Sequence, residues 1–180
     1  PKTLDIPADL APGRYRLDVV AYDVATTGAV GEPLTLAWLR TGAAPPSPAV
    51  QRDEQWANGL RLVGHAALPA ALTPGAAFDL RLVWSATTPL TATLTAFVHL
   101  LGADGAIVAQ TDRAPEGGFY PTTAWLPGEA VTDSYRLELP PTLPPGSYRL
   151  VTGWYDPASG VRVPAAGGED AVELGVWLVE

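Results

Sequence analysis

At 180 residues, with 47% hydrophobic and only 17% charged residues, the chain has enough apolar material for a packed core. Its net charge of -8 argues against a nucleic-acid partner, because contacts with phosphates need a basic surface. The absence of cysteine excludes disulfides and thiolate-bound metals. The apolar run from Leu94 to Leu101 is far shorter than the roughly 20 residues that a membrane-spanning helix requires.

The first segment of the chain repeats a later one. Residues 4–23 match residues 137–156 without a gap at a constant offset of 133, and the identical pairs include Leu4 with Leu137, Pro12 with Pro145, Tyr15 with Tyr148 and Tyr22 with Tyr155. Convergence on a common turn-and-strand pattern would not preserve so many flanking residues in one alignment. We therefore predict that residues 1–42 are the closing strands of a preceding repeat copy and form an extra N-terminal β-hairpin.

Two or three strands without a covering sheet are marginal in water. We expect this hairpin to dock on the main domain, or to pair with another molecule through an exposed edge. The second alternative includes a strand-mediated dimer through residues 1–40.

A proline-rich stretch, residues 43–50, is predicted to be a semi-rigid linker. Residues 51–180 then show period-two alternation between Gly, Pro and Asp clusters, which predicts a complete antiparallel β-sandwich, Ig-like or jelly-roll-like. A turn over residues 102–105 predicts a hairpin. The positions predicted to face the core are Leu60, Leu62 and Leu68; Phe78, Leu80, Leu82 and Trp84; Leu94, Ala96, Val98 and Leu100; Tyr135, Leu137 and Leu139; Tyr148, Leu150, Thr152 and Trp154; and Val172, Leu174, Val176 and Leu178.

Catalytic motifs are missing from the sequence. No nucleophile elbow, zinc-protease helix or phosphate-binding glycine loop is present. The two histidines, His65 and His99, stand alone in their strands, so burial or surface exposure is favoured over a metal site. The carboxylates around the long loop, Asp112, Glu116, Glu129 and Asp133, fit a solvated loop better than a catalytic pair. We predict no catalytic residue, no metal and no cofactor.

The long loop over residues 112–129 is the candidate ligand site, because long loops on sandwiches often carry function. Asp112, Tyr120 and Trp125 are the predicted ligand-binding residues: the rings would stack on a sugar and the carboxylate would accept hydrogen bonds from hydroxyls. The alternative is that Tyr120 and Trp125 plug the open end of the sandwich.

Three aromatic residues lie opposite the predicted core positions: Phe97, Tyr155 and Trp177. An exposed patch of this kind would mark a partner surface. The same surface would equally suit packing of residues 1–40 or of a neighbouring domain of the parent chain.

Several motifs together look familiar. They are Phe97-Val98-His99-Leu100-Leu101, Gly118 with Tyr120-Pro121-Thr122, Trp125-Leu126-Pro127-Gly128-Glu129, Leu143-Pro144-Pro145-Gly146-Ser147-Tyr148-Arg149-Leu150 and the ending Gly153-Trp154-Tyr155-Asp156-Pro157-Ala158-Ser159-Gly160. Over residues 55–180 the chain resembles β-sandwich regions that follow multi-spanning, glycosyltransferase-like membrane proteins of certain bacteria.

The resemblance implies a non-catalytic, extracytoplasmic accessory module, held at the membrane or cell surface by the rest of a longer protein. The glycan-binding function remains one hypothesis, and a structural spacer or protein-interaction module without a small ligand is the other.

Overall fold

The computed structural model describes residues 4–42 and 47–180, which fall into two compact units, Pro1–Ala44 and Pro45–Glu180. The predicted linker of residues 43–50 therefore lies partly outside the described residues. No helix in the described ranges is long and apolar enough to cross a membrane.

The described residues form eleven strands and two short 3-10 turns. The strands are β1 (Gly13–Tyr22), β2 (Ala29–Thr41), β3 (Val50–Gln55), β4 (Leu60–His65), β5 (Ala77–Ala86), β6 (Thr95–Leu101), β7 (Ile107–Arg113), β8 (Val131–Glu138), β9 (Gly146–Tyr155), β10 (Arg162–Val163) and β11 (Val172–Val179); the 3-10 turns are Pro115–Gly118 and Thr122–Ala124.

The second unit consists of two antiparallel sheets. The first sheet has the order β3-β4-β5-β8. In the second sheet, one edge of β9 pairs with β6, which pairs in turn with β7, and the other edge of β9 pairs with both β10 and β11. The predicted all-β fold, an antiparallel sandwich with a separate N-terminal hairpin, is confirmed.

Tryptophans join the inner faces of the two sheets. Trp84 of the first sheet and Trp154 of the second are fully buried and pack edge-on at 4.8 Å between ring centroids. Trp56 extends this cluster against Trp84 at 5.6 Å, and Trp125 extends it against Trp154 at 5.9 Å. Burial of a large aromatic side chain contributes about 1.5–3 kcal/mol each, so this cluster is a main source of stability.

Most of the predicted core positions are buried, but three strands, β4, β6 and β11, differ from the prediction. Strand β6 is buried on both faces, because other residues cover its outer side. The prediction that Leu68 belongs to the first core strand is wrong, because β4 ends at His65 and Leu68 is only partly buried.

Strand β11 contains a β-bulge that changes which residues face the core. Glu173 pairs with Val151 and Gly175 with Leu150, so Leu174 is the extra residue. Beyond it the alternation is inverted: Val176 is 54% and Leu178 76% exposed, whereas Trp177 is 8% exposed. The prediction that Val176 and Leu178 face the core is therefore wrong, and so is the prediction that Trp177 belongs to an exposed partner surface.

The first unit is the hairpin of β1 and β2, which pair antiparallel from Gly13 with Thr41 to Tyr22 with Ala29. Many of its apolar side chains are exposed, among them Val19 (49%), Leu34 (64%) and Leu36 (56%).

Candidate functional site

A cluster of polar and aromatic side chains lies on the outer face of the second sheet. Because side chains alternate along a strand, Phe97 and His99 of β6 point away from the core that Val98 enters. The sheet register places Asp112 of β7 and Gly153 of β9 on either side of Phe97. We call Phe97, His99, Asp112, Tyr155 and Arg162 the outer-face cluster.

An imidazole fixes the position of the carboxylate in this cluster. Nε2 of His99 lies 2.9 Å from Oδ1 of Asp112, and since an ionised carboxylate only accepts hydrogen bonds, Nε2 carries the proton. The His99 side chain is 7% exposed and that of Asp112 is 29% exposed. His99 is thus a buried support, and Asp112 is the member of the pair that solvent or a ligand reaches.

The phenol of Tyr155 approaches the same carboxylate. Tyr155 pairs with Thr95 at the end of β6, and its ring is partly exposed. Partial burial, and then the negative charge and hydrogen bond of Asp112, raise the pKa of the Tyr155 phenol. The phenol is therefore protonated at neutral pH and lies close enough to Asp112 to feel its charge.

Phe97 is the floor of the cluster rather than part of its surface. Its ring packs on His99 at 4.6 Å between centroids, and the guanidinium carbon of Arg162 lies 4.4 Å above it, a cation–π geometry. Gly153 leaves room for this ring, because a Cβ there would lie 2.5 Å from Phe97 Cζ. Phe97 is fully buried. This corrects the prediction that it lies on an exposed partner surface.

A shallow groove of about 540 Å³ begins at Arg162. It is lined by Ala57, Asn58, Asp156, Ser159, Val161, Arg162, Val163 and Pro164. The Asp156 carboxylate is occupied within its own turn, where it accepts hydrogen bonds from Ala158 N (2.8 Å) and Ser159 Oγ (3.0 Å). Arg162 is therefore the charged group that links the groove to the outer-face cluster.

The predicted loop site does not form as expected. Tyr120 is fully buried and Trp125 is 2% exposed, so neither ring presents a face to a sugar. Their burial corrects the prediction of an open stacking platform and agrees with the alternative of a plug. Asp112 does not join them: it lies on β7, close to His99 of β6 and Tyr155 of β9. Residues that were predicted for two separate surfaces, Asp112, Phe97 and Tyr155, are brought together.

Sequence reasoning missed His99, Gly153 and Arg162. The signal for His99 was its spacing of two from Phe97, which places both on one face of a strand. The other histidine, His65, is buried on β4; burial lowers its pKa, and its Nδ1–H donates to Ala66 O at 2.8 Å. Among the described residues, no three His, Cys, Asp or Glu side chains are grouped closely enough to hold a metal ion.

Residues 45–180 are thus an antiparallel β-sandwich domain with a polar and aromatic patch on one outer face. No protein-family model matches the sequence, and no curated protein matches it as a relative.

Solved structures with a similar fold include parts of larger enzymes. One is a glycosyl hydrolase family 2 (GH2) member from Bacteroides cellulosilyticus DSM 14838, with a TM-score of 0.41 and 12% identity, covering 64% of this chain and 15% of that one. Another is a beta-glucuronidase from glycoside hydrolase family 2, with a TM-score of 0.38 and 12% identity, covering 60% of this chain and 11% of that one. The C-terminal domain of wzt has a TM-score of 0.44 and 14% identity, covering 74% of this chain and 81% of that one.

Proposed function

We propose that this chain is a non-catalytic accessory module that binds carbohydrate through the outer-face cluster. The observation that carries the proposal is the partly exposed Tyr155 ring beside the Asp112 carboxylate and the Arg162 guanidinium. Binding sites for small ligands combine apolar or aromatic surface with a few oriented polar groups, and these three residues supply both.

Each member of the cluster has its own role in this proposal. The Tyr155 ring packs against the apolar face of a sugar, while Asp112 accepts hydrogen bonds from hydroxyls and Arg162 donates them. His99 holds one oxygen of Asp112 at 2.9 Å and so reduces the entropy that the carboxylate loses on binding. The groove next to Arg162 accommodates a second sugar unit.

The resemblance of residues 55–180 to regions that follow glycosyltransferase-like membrane proteins supports an extracytoplasmic setting. In that setting the module holds a glycan near the sugar-transferring part of a longer protein. Asp112, Tyr155 and Arg162 are open to solvent, fully or in part, and lie on paired strands, which suits such a holding role.

Glycan-array binding of the 180-residue protein tests this function. We expect selective binding that falls at least about tenfold in Tyr155→Ala and in Asp112→Asn, which removes one charged hydrogen-bond acceptor. Tyr22→Ala is the matched control, because Tyr22 stands at the equivalent position of the hairpin and is 62% exposed. Circular dichroism and thermal unfolding confirm that each variant is folded. A blank array, or equal binding by all variants, would overturn the proposal.

A protein-interaction module is the second candidate function, and the exposed apolar side chains of the hairpin favour it. An exposed apolar face on a small sheet is typical of a surface that another protein covers. The two functions use different surfaces, so a blank glycan array leaves the second one standing.

A further inference from the structure

The hairpin and the closing strands of the sandwich have the same local structure at the offset of 133 residues. Strand β1 spans Gly13–Tyr22 and strand β9 spans Gly146–Tyr155. Each strand begins with the same tyrosine contact: Tyr15 donates to Ala11 O at 2.8 Å, and Tyr148 donates to Pro144 O at 2.7 Å.

The turns after these strands also share their hydrogen bonds. An aspartate begins each turn, and its Oδ1 accepts a bond from the backbone amide two residues later at 2.8 Å. The remaining pairs are Asp23 N to Gly28 O and Asp156 N to Val161 O, both 2.9 Å, and Thr27 N to Asp23 O and Gly160 N to Asp156 O, both 2.8 Å. Thr27 even adopts the left-handed conformation of Gly160, with φ of 55° against 72°. The turn geometry is thus preserved although the sequence of the turn differs.

Strand pairing completes the equivalence. The first residues of β2, Ala29 and Val30, pair with Tyr22 and Ala21, as β10 pairs with Tyr155 and Trp154. Further along, β2 has the same bulge as β11. Leu36 is left out between Thr35 and Ala37, just as Leu174 is left out between Glu173 and Gly175.

The hairpin and the closing strands of the sandwich differ in how deeply their equivalent residues are buried. Leu4 and Ile6 are 64% and 51% exposed, whereas the equivalent Leu137 and Leu139 are 0% and 6% exposed. The bulge residues differ in the same way: Leu36 of the hairpin is 56% exposed, whereas Leu174 of the sandwich is 4% exposed. In the sandwich, β6 pairs with the edge of β9 opposite β10 and β11, and in the described ranges no strand pairs with the equivalent edge of β1. The hairpin thus has an apolar face and a strand edge that its counterpart buries.

Two residues of the hairpin differ from their equivalents in the sandwich, and both differences indicate that the opening strands of this sandwich do not cover the hairpin's exposed face. Ala21 stands where Trp154 fills the core against Trp84, so the hairpin would leave a large cavity in this sandwich. Val20 stands where Gly153 leaves room for Phe97, and a Cβ there lies 2.5 Å from the Phe97 ring. The hairpin therefore does not fit the opening strands of residues 47–139.

We propose that residues 4–41 are the closing unit of a second β-sandwich. Their exposed face, together with the edge of β1 that no strand of the described residues pairs with, binds the opening strands of that sandwich. The partner has the topology of β3 to β8. It carries a small residue at the position of Phe97, and side chains that fill the space above Ala21. A second copy of this chain is consequently not the partner.

A transplant within the full 180-residue protein tests the equivalence. Residues 13–30 replace residues 146–163, a segment of equal length, while Val151, Gly153 and Trp154 are retained. Val151 is kept because the hairpin residue at that position, Asp18, would face Glu173 in place of its partner Thr35. A matched second protein carries in addition Gly153→Val and Trp154→Ala, which restore the hairpin's own residues.

We expect the first transplant to keep cooperative unfolding and a native near-ultraviolet circular dichroism spectrum. The second should lower the folding equilibrium constant at least about a hundredfold, as loss of a buried tryptophan does. Failure of the first to fold, while unaltered protein folds in parallel, would show that the hairpin is not an equivalent closing unit. Equal stability of the two transplants would show that the hairpin fits this sandwich. It would contradict the claim that the partner differs from residues 47–139 at the positions that face Val20 and Ala21.

The solution mass of the unaltered protein provides an independent measurement. Light scattering should give a monomer, because the hairpin does not fit a second copy. A dimer that dissociates in Val19→Lys with Leu36→Lys would make a second copy the partner and would overturn the proposal. Neither measurement depends on carbohydrate binding, so this inference and the proposed function fail separately.

Discussion

The hydroxyl of Tyr120 donates a 2.7 Å hydrogen bond to Oε2 of Glu129, and the backbone oxygen of Tyr120 accepts one from Nε1 of Trp125 at 3.3 Å. The same Glu129 oxygen accepts the Leu126 amide at 3.1 Å. These contacts hold the loop inward, so its aromatic residues stabilise the domain rather than bind at its surface.

Trp125→Ala should therefore lower the free energy of unfolding by about 3–5 kcal/mol, as truncation of a buried aromatic residue does. The adjacent Leu126→Ala is the control, because Leu126 is 52% exposed and its change should stay within about 0.5 kcal/mol. Urea unfolding followed by fluorescence measures both. If Trp125→Ala left stability unchanged, the ring would not have the packing role assigned to it.

Tyr148→Phe removes the hydrogen bond to Pro144 and should cost the sandwich about 1 kcal/mol. The same change in the hairpin, Tyr15→Phe, removes the equivalent bond to Ala11. It should leave the unfolding transition of residues 45–180 where it is. Thermal unfolding of both variants measures the difference, and equal losses would contradict the assignment of the two bonds to separate units.

Asp112→Asn should lower the pKa of the Tyr155 phenol. Partial burial is the largest cause of the raised pKa, and the charge of Asp112 comes next, so the pKa should fall but remain above its ordinary value of 10.0. Ultraviolet titration of the phenolate, with Tyr155→Phe to identify the signal, measures the change. An unchanged titration curve would mean that the carboxylate does not act on Tyr155.

Asp133→Asn tests a buried carboxyl group. Burial raises the pKa of Asp133 above its ordinary 3.8, while Arg113 opposes that rise. In the range between 3.8 and the raised pKa, the folded state holds more protons than the unfolded state, so stability falls as pH increases. The Asn variant should lose this fall, and it should gain stability over the natural protein at neutral pH but not below 3.8.

Asp79→Asn is the control for that experiment, because the Asp79 side chain is 72% exposed. Its effect should stay within about 0.5 kcal/mol at every pH. Urea midpoints across the acid range measure both variants. A variant of Asp133 with the same pH dependence as the natural protein would contradict the assignment.

Alternation of apolar residues predicted the inner face of β8, which has one face on the core and one toward solvent. It also predicted inner positions of β5 and β9, although residues 82–86 and 150–154 are buried on both faces of these strands. It did not predict β3, whose sequence from Val50 to Gln55 is mostly polar because it lies at the edge of its sheet. It also did not predict the outer-face cluster. That cluster depends on which strands are neighbours, and pairing between β6, β7 and β9 joins residues far apart in the sequence.

The bulge in β11 reverses, partway along the strand, which alternate residues face the core. Every residue before Leu174 follows one odd-even rule for facing the core, and every residue after Gly175 follows the opposite rule. A ladder without the bulge, in which Leu174 paired with Leu150, would follow a single rule and turn Trp177 to solvent, with Val176 and Leu178 facing the core in its place. One extra residue therefore decides which half of the strand's sequence becomes interior, and β2 carries the same device at Leu36.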